Sequence, residues 1–156
     1  MKNKVMRIIV LAVIAVTVAF IFTQSLLPSH VSSSESNGVK GFLATIFPED
    51  TPLGAFISTY VRKIAHFVEF GLLGAELTLY AFLFCKNRKK AASFCAPIAF
   101  GVAFVDETLQ IFSGRGPMVS DVWLDFSGAF CFGFFTFLIC MLAERTVKKK
   151  AGAENG

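Results

Sequence analysis

Four long apolar stretches, separated by short polar and basic blocks, set the pattern of this chain. They run from about Val5 to Leu27, Arg62 to Cys85, Ala91 to Phe112 and Val122 to Ala143. Each is close to the roughly 20 residues that a helix needs to cross a hydrocarbon core. None alternates with the period of two that a barrel strand requires. A segment in lipid must satisfy its own backbone groups, so the four stretches are predicted to be helices. The first ends in Thr23-Gln24-Ser25-Leu26-Leu27-Pro28, without a small-x-small cleavage site, and so reads as a retained span rather than a signal peptide. Pro28 stops it. The expected architecture is all-α: an integral membrane bundle of four transmembrane helices in one domain, 1–156, with a basic C-terminal tail over 144–156.

Between the first two spans lies a loop of roughly 34 residues, Pro28 to Val61. Ser29 to Gly38 is rich in serine and is expected to be mobile. From Val39 to Val61 the loop turns apolar again, in the pieces Gly41–Phe47 and Leu53–Ile57. These are too short to span and predict interfacial or re-entrant segments lying over the bundle. The last two spans are joined by a short turn, Ser113 to Ser120.

Composition supports the membrane reading. Apolar residues make up 54% of the chain and 19 residues are Phe, more apolar surface than a soluble globule of 156 residues can hide. The formal charge of +4 does not point to nucleic acid, because the bases form blocks between the spans rather than a patch interleaved with aromatics. Eleven of the 15 Lys and Arg fall in Lys2, Lys4, Arg7; Lys86, Arg88, Lys89, Lys90; and Arg145, Lys148, Lys149, Lys150. These blocks sit at alternate ends of successive spans, so all three can face the cytoplasm at once, with both termini inside. The four cysteines, Cys85, Cys95, Cys131 and Cys140, lack CxxC spacing and read as small packing residues.

The candidate chemistry lies where the pattern is broken. An ionisable residue inside a span costs about 2.5–3.5 kcal/mol on insertion scales and turns inward. Arg62, His66 and Glu69 share one face of the second span, with Lys63 beside them. Asp106, Glu107 and Gln110 close the third, and Asp121 and Asp125 open the fourth. At about 1.5 Å per residue, Glu69 lies roughly 10 Å in from Arg62, Asp106 roughly 9 Å from Phe112, and Asp125 roughly 6 Å below Asp121. Three segments therefore place polar groups in one layer, which the charge pattern assigns to the outer leaflet. As helix-end groups, Arg62 and Lys63 could equally snorkel to head groups and Asp121 could cap its helix. Arg115, in the tight turn Gly114-Arg115-Gly116-Pro117, either offers its fork to a carboxylate or phosphate or offsets the acids beneath it. Glu76, about two turns below Glu69, is placed to pair within the bundle or to line a cavity.

Lys63-Ile64-Ala65-His66-Phe67-Val68-Glu69-Phe70, Asp106-Glu107-Thr108-Leu109-Gln110, Gly114-Arg115-Gly116 and Ser120-Asp121-Val122 with Asp125 and Gly128 resemble the VanZ-like family in order and spacing. The resemblance runs from about Gln24 to Gly133. Two departures stand out: the family often has Tyr where Phe70 stands and Asn where Asp125 stands. The second adds a carboxylate. The resemblance implies a bacterial multi-pass protein of the cell membrane, in a family whose named member is associated with resistance to teicoplanin and related lipoglycopeptides.

Three function classes follow. The first is a protein that binds or shields a lipid-linked cell-wall precursor or an anchored lipoglycopeptide, with Arg62, Lys63, Glu107, Gln110, Arg115 and Asp121 as ligand-binding candidates. Against it, acids outnumber bases in the layer, so an anionic head needs a metal or protonated carboxylates. The second is an intramembrane hydrolase or transferase acting on such a lipid, with His66, Glu69, Asp106 and Asp125 as catalytic candidates. That set suits a divalent metal, an oxygen-loving one before zinc, since one histidine is thin for zinc. No serine or cysteine nucleophile motif is present, which weakens covalent catalysis. The third is a proton-coupled transporter, for which four helices are few.

Overall fold

In the computed structural model the backbone is described for residues 2–154, with side chains for 4–28, 31, 34, 36–88 and 90–148. The side chains of Lys2, Lys89, Lys149 and Lys150 from the basic blocks, and residues 155–156 of the expected tail, lie outside the described residues. Among the described residues all regular structure is helical: α1 (Lys2–Leu26), α2 (Ser29–Ile46), α3 (Pro52–Phe84), α4 (Arg88–Gln110) and α5 (Val119–Glu154). Four are long and apolar enough to cross a membrane, over Lys4–Leu26, Pro52–Phe84, Lys90–Gln110 and Val119–Lys148. The chain forms a multi-pass membrane helical bundle.

The region Pro28 to Val61 differs from the loop expected there. Ser29–Ile46 is helical throughout, including the serine-rich part. Leu53–Ile57 is not a separate segment but the opening of α3, which begins at Pro52 rather than Arg62. The cause is local: Thr51 accepts a hydrogen bond from the Gly54 amide at 3.0 Å, and Pro52 takes the first helical position, where a missing N–H costs nothing. Within α2, Val39, Phe42 and Ile46 fall three and four residues apart and stay exposed, a one-sided apolar stripe. α2 packs mainly against α3. α4 is opened by Asn87, whose side chain accepts from the Lys90 amide at 3.1 Å.

α3 and α5 form the main contact, α4 closes against both, and α1 lies along α3 and α4. Small residues set the closeness of the first pair, as is usual where lipid gives no hydrophobic drive to helix association. A Cβ on Gly74 would stand 2.1 Å from the carbonyl oxygen of Ala129, and one on Gly128 2.2 Å from that of Phe67. The core between the helices is Ile21, Phe70, Leu73, Ala99, Ala103, Val122 and Ala129. Outside it, Val16, Phe104, Phe135 and Ile139 are exposed, the inverse of a soluble protein and the arrangement that lipid accepts. Phe100, Trp123 and Phe126 form an aromatic cluster on α4 and α5, with centroids 5.6–6.1 Å apart.

The end of the bundle that holds both termini carries the described bases of the three blocks, Lys4, Arg7, Lys86, Arg88, Lys90, Arg145 and Lys148. Arg7 donates to the Tyr80 hydroxyl at 2.7 Å, and Glu144 pairs with Arg88 and, at 2.9 Å, with Lys148. Cys85, Cys95, Cys131 and Cys140 are free and partly buried.

Candidate functional site

At the opposite end, four helices bring polar side chains into one layer. α3 supplies His66, one turn inside Arg62; α4 supplies Asp106, one turn before it ends; α5 supplies Asp125, one turn after Asp121. Asp106 and Asp125 are fully buried. His66 Nδ1 lies 4.0 Å from Asp106 Oδ2 and 3.7 Å from Asp125 Oδ1, beyond hydrogen-bond length for either. One ligating atom from each of the three falls within 4.8 Å of the others.

The fourth contributor was not among the residues singled out by sequence. Ser25, at the end of α1 and fully buried, donates to Asp106 Oδ1 at 2.6 Å. The only signal for it was a Gln-Ser pair closing an otherwise apolar span. After that bond, Asp106 Oδ2 and both carboxylate oxygens of Asp125 remain without a hydrogen-bond partner among the described residues. Buried polar atoms are nearly always paired, so three orphan oxygens within one cluster need an explanation.

Glu107 and Asp121, by contrast, are already engaged. Glu107 accepts from the Gln110 side chain at 2.7 Å and from the Met118 amide at 3.0 Å, which ties the end of α4 to the start of α5. Asp121 pairs with Lys63 at 3.4 Å, an exposed contact of small energetic weight. Arg115 leaves its turn through Gly114, whose φ of +70° is the left-handed conformation glycine takes most readily. Its Nη2 donates at 2.7 Å to the carbonyls of both Gln24 and Ser25. These carbonyls lie in the last turn of α1, where intrahelical donors run out, so the arginine caps that helix end. Glu76 sits lower and accepts from Thr17 of α1 at 3.0 Å.

Two cavities open at this end. The larger, about 460 Å³, has Arg62, Lys63 and Arg115 in its wall together with His66, Asp121 and Asp125. The smaller, about 150 Å³, is lined by Gln24, Ser36, Glu69 and again Arg62, His66 and Arg115. Arg62, His66 and Arg115 thus border both, whereas Glu69 faces the smaller one. A third hollow of about 350 Å³, in the other half of the bundle, is lined by small and aromatic residues such as Gly74, Ala96, Ala99 and Phe134, and has no acid or base in its wall.

A sequence model of the VanZ/LLP1 family matches residues 8–142, spanning all four membrane-length helices and the whole polar layer. The chain belongs to the VanZ/LLP1 family. Neither a curated protein nor a solved structure matches it. The family match covers each segment on which the resemblance rests, from His66 and Glu69 to Asp125 and Gly128. In this VanZ/LLP1 chain those segments converge: His66, Asp106 and Asp125 come together, Glu69 stands beside them, and Glu107, Gln110 and Asp121 build the surrounding frame.

Proposed function

We propose that this VanZ/LLP1 protein resides in the bacterial cell membrane and binds the polar head of a lipid-linked or lipid-anchored envelope ligand at the outer leaflet. The observation that carries this reading is the larger cavity. Its volume of about 460 Å³ is within the range of small-molecule sites, and its wall combines cationic Arg62, Lys63 and Arg115 with a buried His66–Asp125 floor. A head group entering there leaves its tail in lipid, against the exposed apolar faces of the helices. The placement of Lys4, Arg7, Lys86, Arg88, Lys90, Arg145 and Lys148 near the end that holds the termini supports a cytoplasmic assignment for that end and an outer one for the cavity. The exposed stripe Val39, Phe42, Ile46 makes α2 an interfacial helix beside the cavity mouth.

By resemblance to the family's named member, the ligand class is a lipoglycopeptide such as teicoplanin or the lipid-linked precursor it attacks. The test is teicoplanin and vancomycin susceptibility in a Gram-positive host carrying the wild type, Glu69→Gln or Asp106→Asn at matched membrane levels. Selective teicoplanin protection by the wild type alone supports the reading. Absence of protection from any of the three removes the resistance role.

A second reading, an intramembrane hydrolase or transferase on the same lipid, is favoured by one specific feature. His66 and Asp125 border the cavity with atoms not committed to hydrogen bonds among the described residues, as general acid–base groups require. Product formation from a lipid-linked precursor by purified protein, lost in His66→Ala, separates it from simple binding; an unchanged precursor rules it out.

A further inference from the structure

We infer that His66, Asp106 and Asp125 form a binding site for one divalent cation, a site independent of whether the cavity above takes a head group. Three observations converge. The first is geometry: Nδ1 of His66 lies 3.7 Å from Asp125 Oδ1 and 4.0 Å from Asp106 Oδ2. Around an ion with bonds of about 2.1–2.4 Å, neighbouring ligands stand roughly 3.0–3.4 Å apart, so side-chain movements of about 0.3–1 Å bring His66 to both acids, and the three ligand atoms already lie within 4.8 Å of one another. The second is the unmet demand of the acids. Asp106 and Asp125 are fully buried, and three of their four carboxylate oxygens have no hydrogen-bond partner among the described residues. A single cation answers all three, whereas His66 at these distances hydrogen-bonds neither acid.

The third is orientation. Ser25 takes Asp106 Oδ1 at 2.6 Å and leaves Oδ2 turned to the cluster, the outer-shell bond that fixes a metal-binding carboxylate. His66 and Asp125 border the larger cavity, so coordination positions on that side stay open to water or a ligand oxygen. Two carboxylates and one imidazole make a mainly oxygen set. That composition selects Mn²⁺ or Mg²⁺ over the thiolate-loving metals, and no cysteine joins the group among the described residues.

Mn²⁺ is the probe of choice, because its paramagnetism reports both occupancy and ligand identity. Chelator-treated full-length protein in lipid nanodiscs is titrated with Mn²⁺, and the free-ion signal is followed by electron paramagnetic resonance. The expected result is one saturable ion per chain, with pulsed spectra showing ¹⁴N coupling from an imidazole. That coupling persists in His30→Gln and disappears in His66→Ala. Asp106→Asn and Asp125→Asn weaken binding by at least tenfold, while Glu144→Gln, at the far end of the bundle, does not. Saturable binding by the wild type with no ¹⁴N coupling overturns the site without reliance on any variant's folding. So does the absence of saturable binding, or a coupling that follows His30.

Discussion

Gly128→Ala is the substitution that most directly connects helix packing to the site. A Cβ there would stand 2.2 Å from the carbonyl oxygen of Phe67, against the 3.0 Å that real Cβ atoms essentially never breach. α3 and α5 must therefore part by at least the 0.8 Å difference at this level. Phe67 is the neighbour of His66, and Gly128 lies one turn from Asp125, so the same displacement opens the gap between those two. The 3.7 Å separation would grow to about 4.5 Å, because close-packed interiors transmit such shifts rather than absorb them. Overpacking costs about 1–3 kcal/mol, and a clash with backbone falls at the stiff end of that range. Alanine returns up to about 1 kcal/mol in helix propensity, leaving a net loss of roughly 1–2 kcal/mol. The assay is reversible denaturation in bicelles alongside Gly101→Ala, where nothing lies within 4 Å of an added Cβ. Gly101→Ala should match or exceed wild-type stability, and trimming Phe67 to Ala should not rescue Gly128→Ala, since the clash is with main chain. If Gly128→Ala is as stable as Gly101→Ala, or is rescued by Phe67→Ala, the close crossing is wrong.

The bond from Ser25 to buried Asp106 is charge-assisted when the acid is ionised, so Ser25→Ala should destabilise the bundle by about 1.5–3 kcal/mol while Ser25→Thr retains most of the stability. Equal losses for the two, measured in the same bicelles, would show that the hydroxyl is not what matters. For topology, single cysteines are placed in a background where all four native ones are Ala: Gly116→Cys should react with an impermeant maleimide on intact cells and Lys86→Cys only after lysis. The reverse pattern inverts the bundle.

Much of this was legible in the sequence because membrane solvent constrains it so strongly. Four spans, their order and the polar layer all followed from apolar run length and from charges placed where lipid penalises them. The start of α3 was not, because the deciding signal was a Thr51-Pro52 cap rather than hydropathy. Helical structure over Ser29–Gly38 was hidden in the same way, since serine is a weak helix former and turn chemistry gave the opposite sign. Which acids belong to the site was only half legible. Asp106 and Gln110 stand four residues apart on one helix, yet Gln110 donates to Glu107, which in turn accepts from Met118. Sequence spacing fixes which face a residue shares, not which neighbour on another helix reaches it first.

That sorting of partners also bears on the objection that the layer is too acidic for an anionic head. Asp121 is balanced by Lys63, whereas Glu107, held by the neutral donors of Gln110 and Met118, keeps its own charge when ionised. Asp106 and Asp125 add to that charge when ionised, with Glu69 nearby. Two like charges within 4.8 Å of each other repel by more than about 3 kcal/mol at an effective dielectric of 20, and an incoming phosphate would add a further like charge to them. With a divalent cation between His66, Asp106 and Asp125, the floor changes from repelling an anion to coordinating it. The rim, by contrast, offers Arg62 with or without the ion, Lys63 being paired with Asp121. Mn²⁺ binding and teicoplanin protection lost together in Asp106→Asn would therefore place the head group on the ion. Protection that survives loss of the ion would place it at the rim, held by the Arg62 guanidinium.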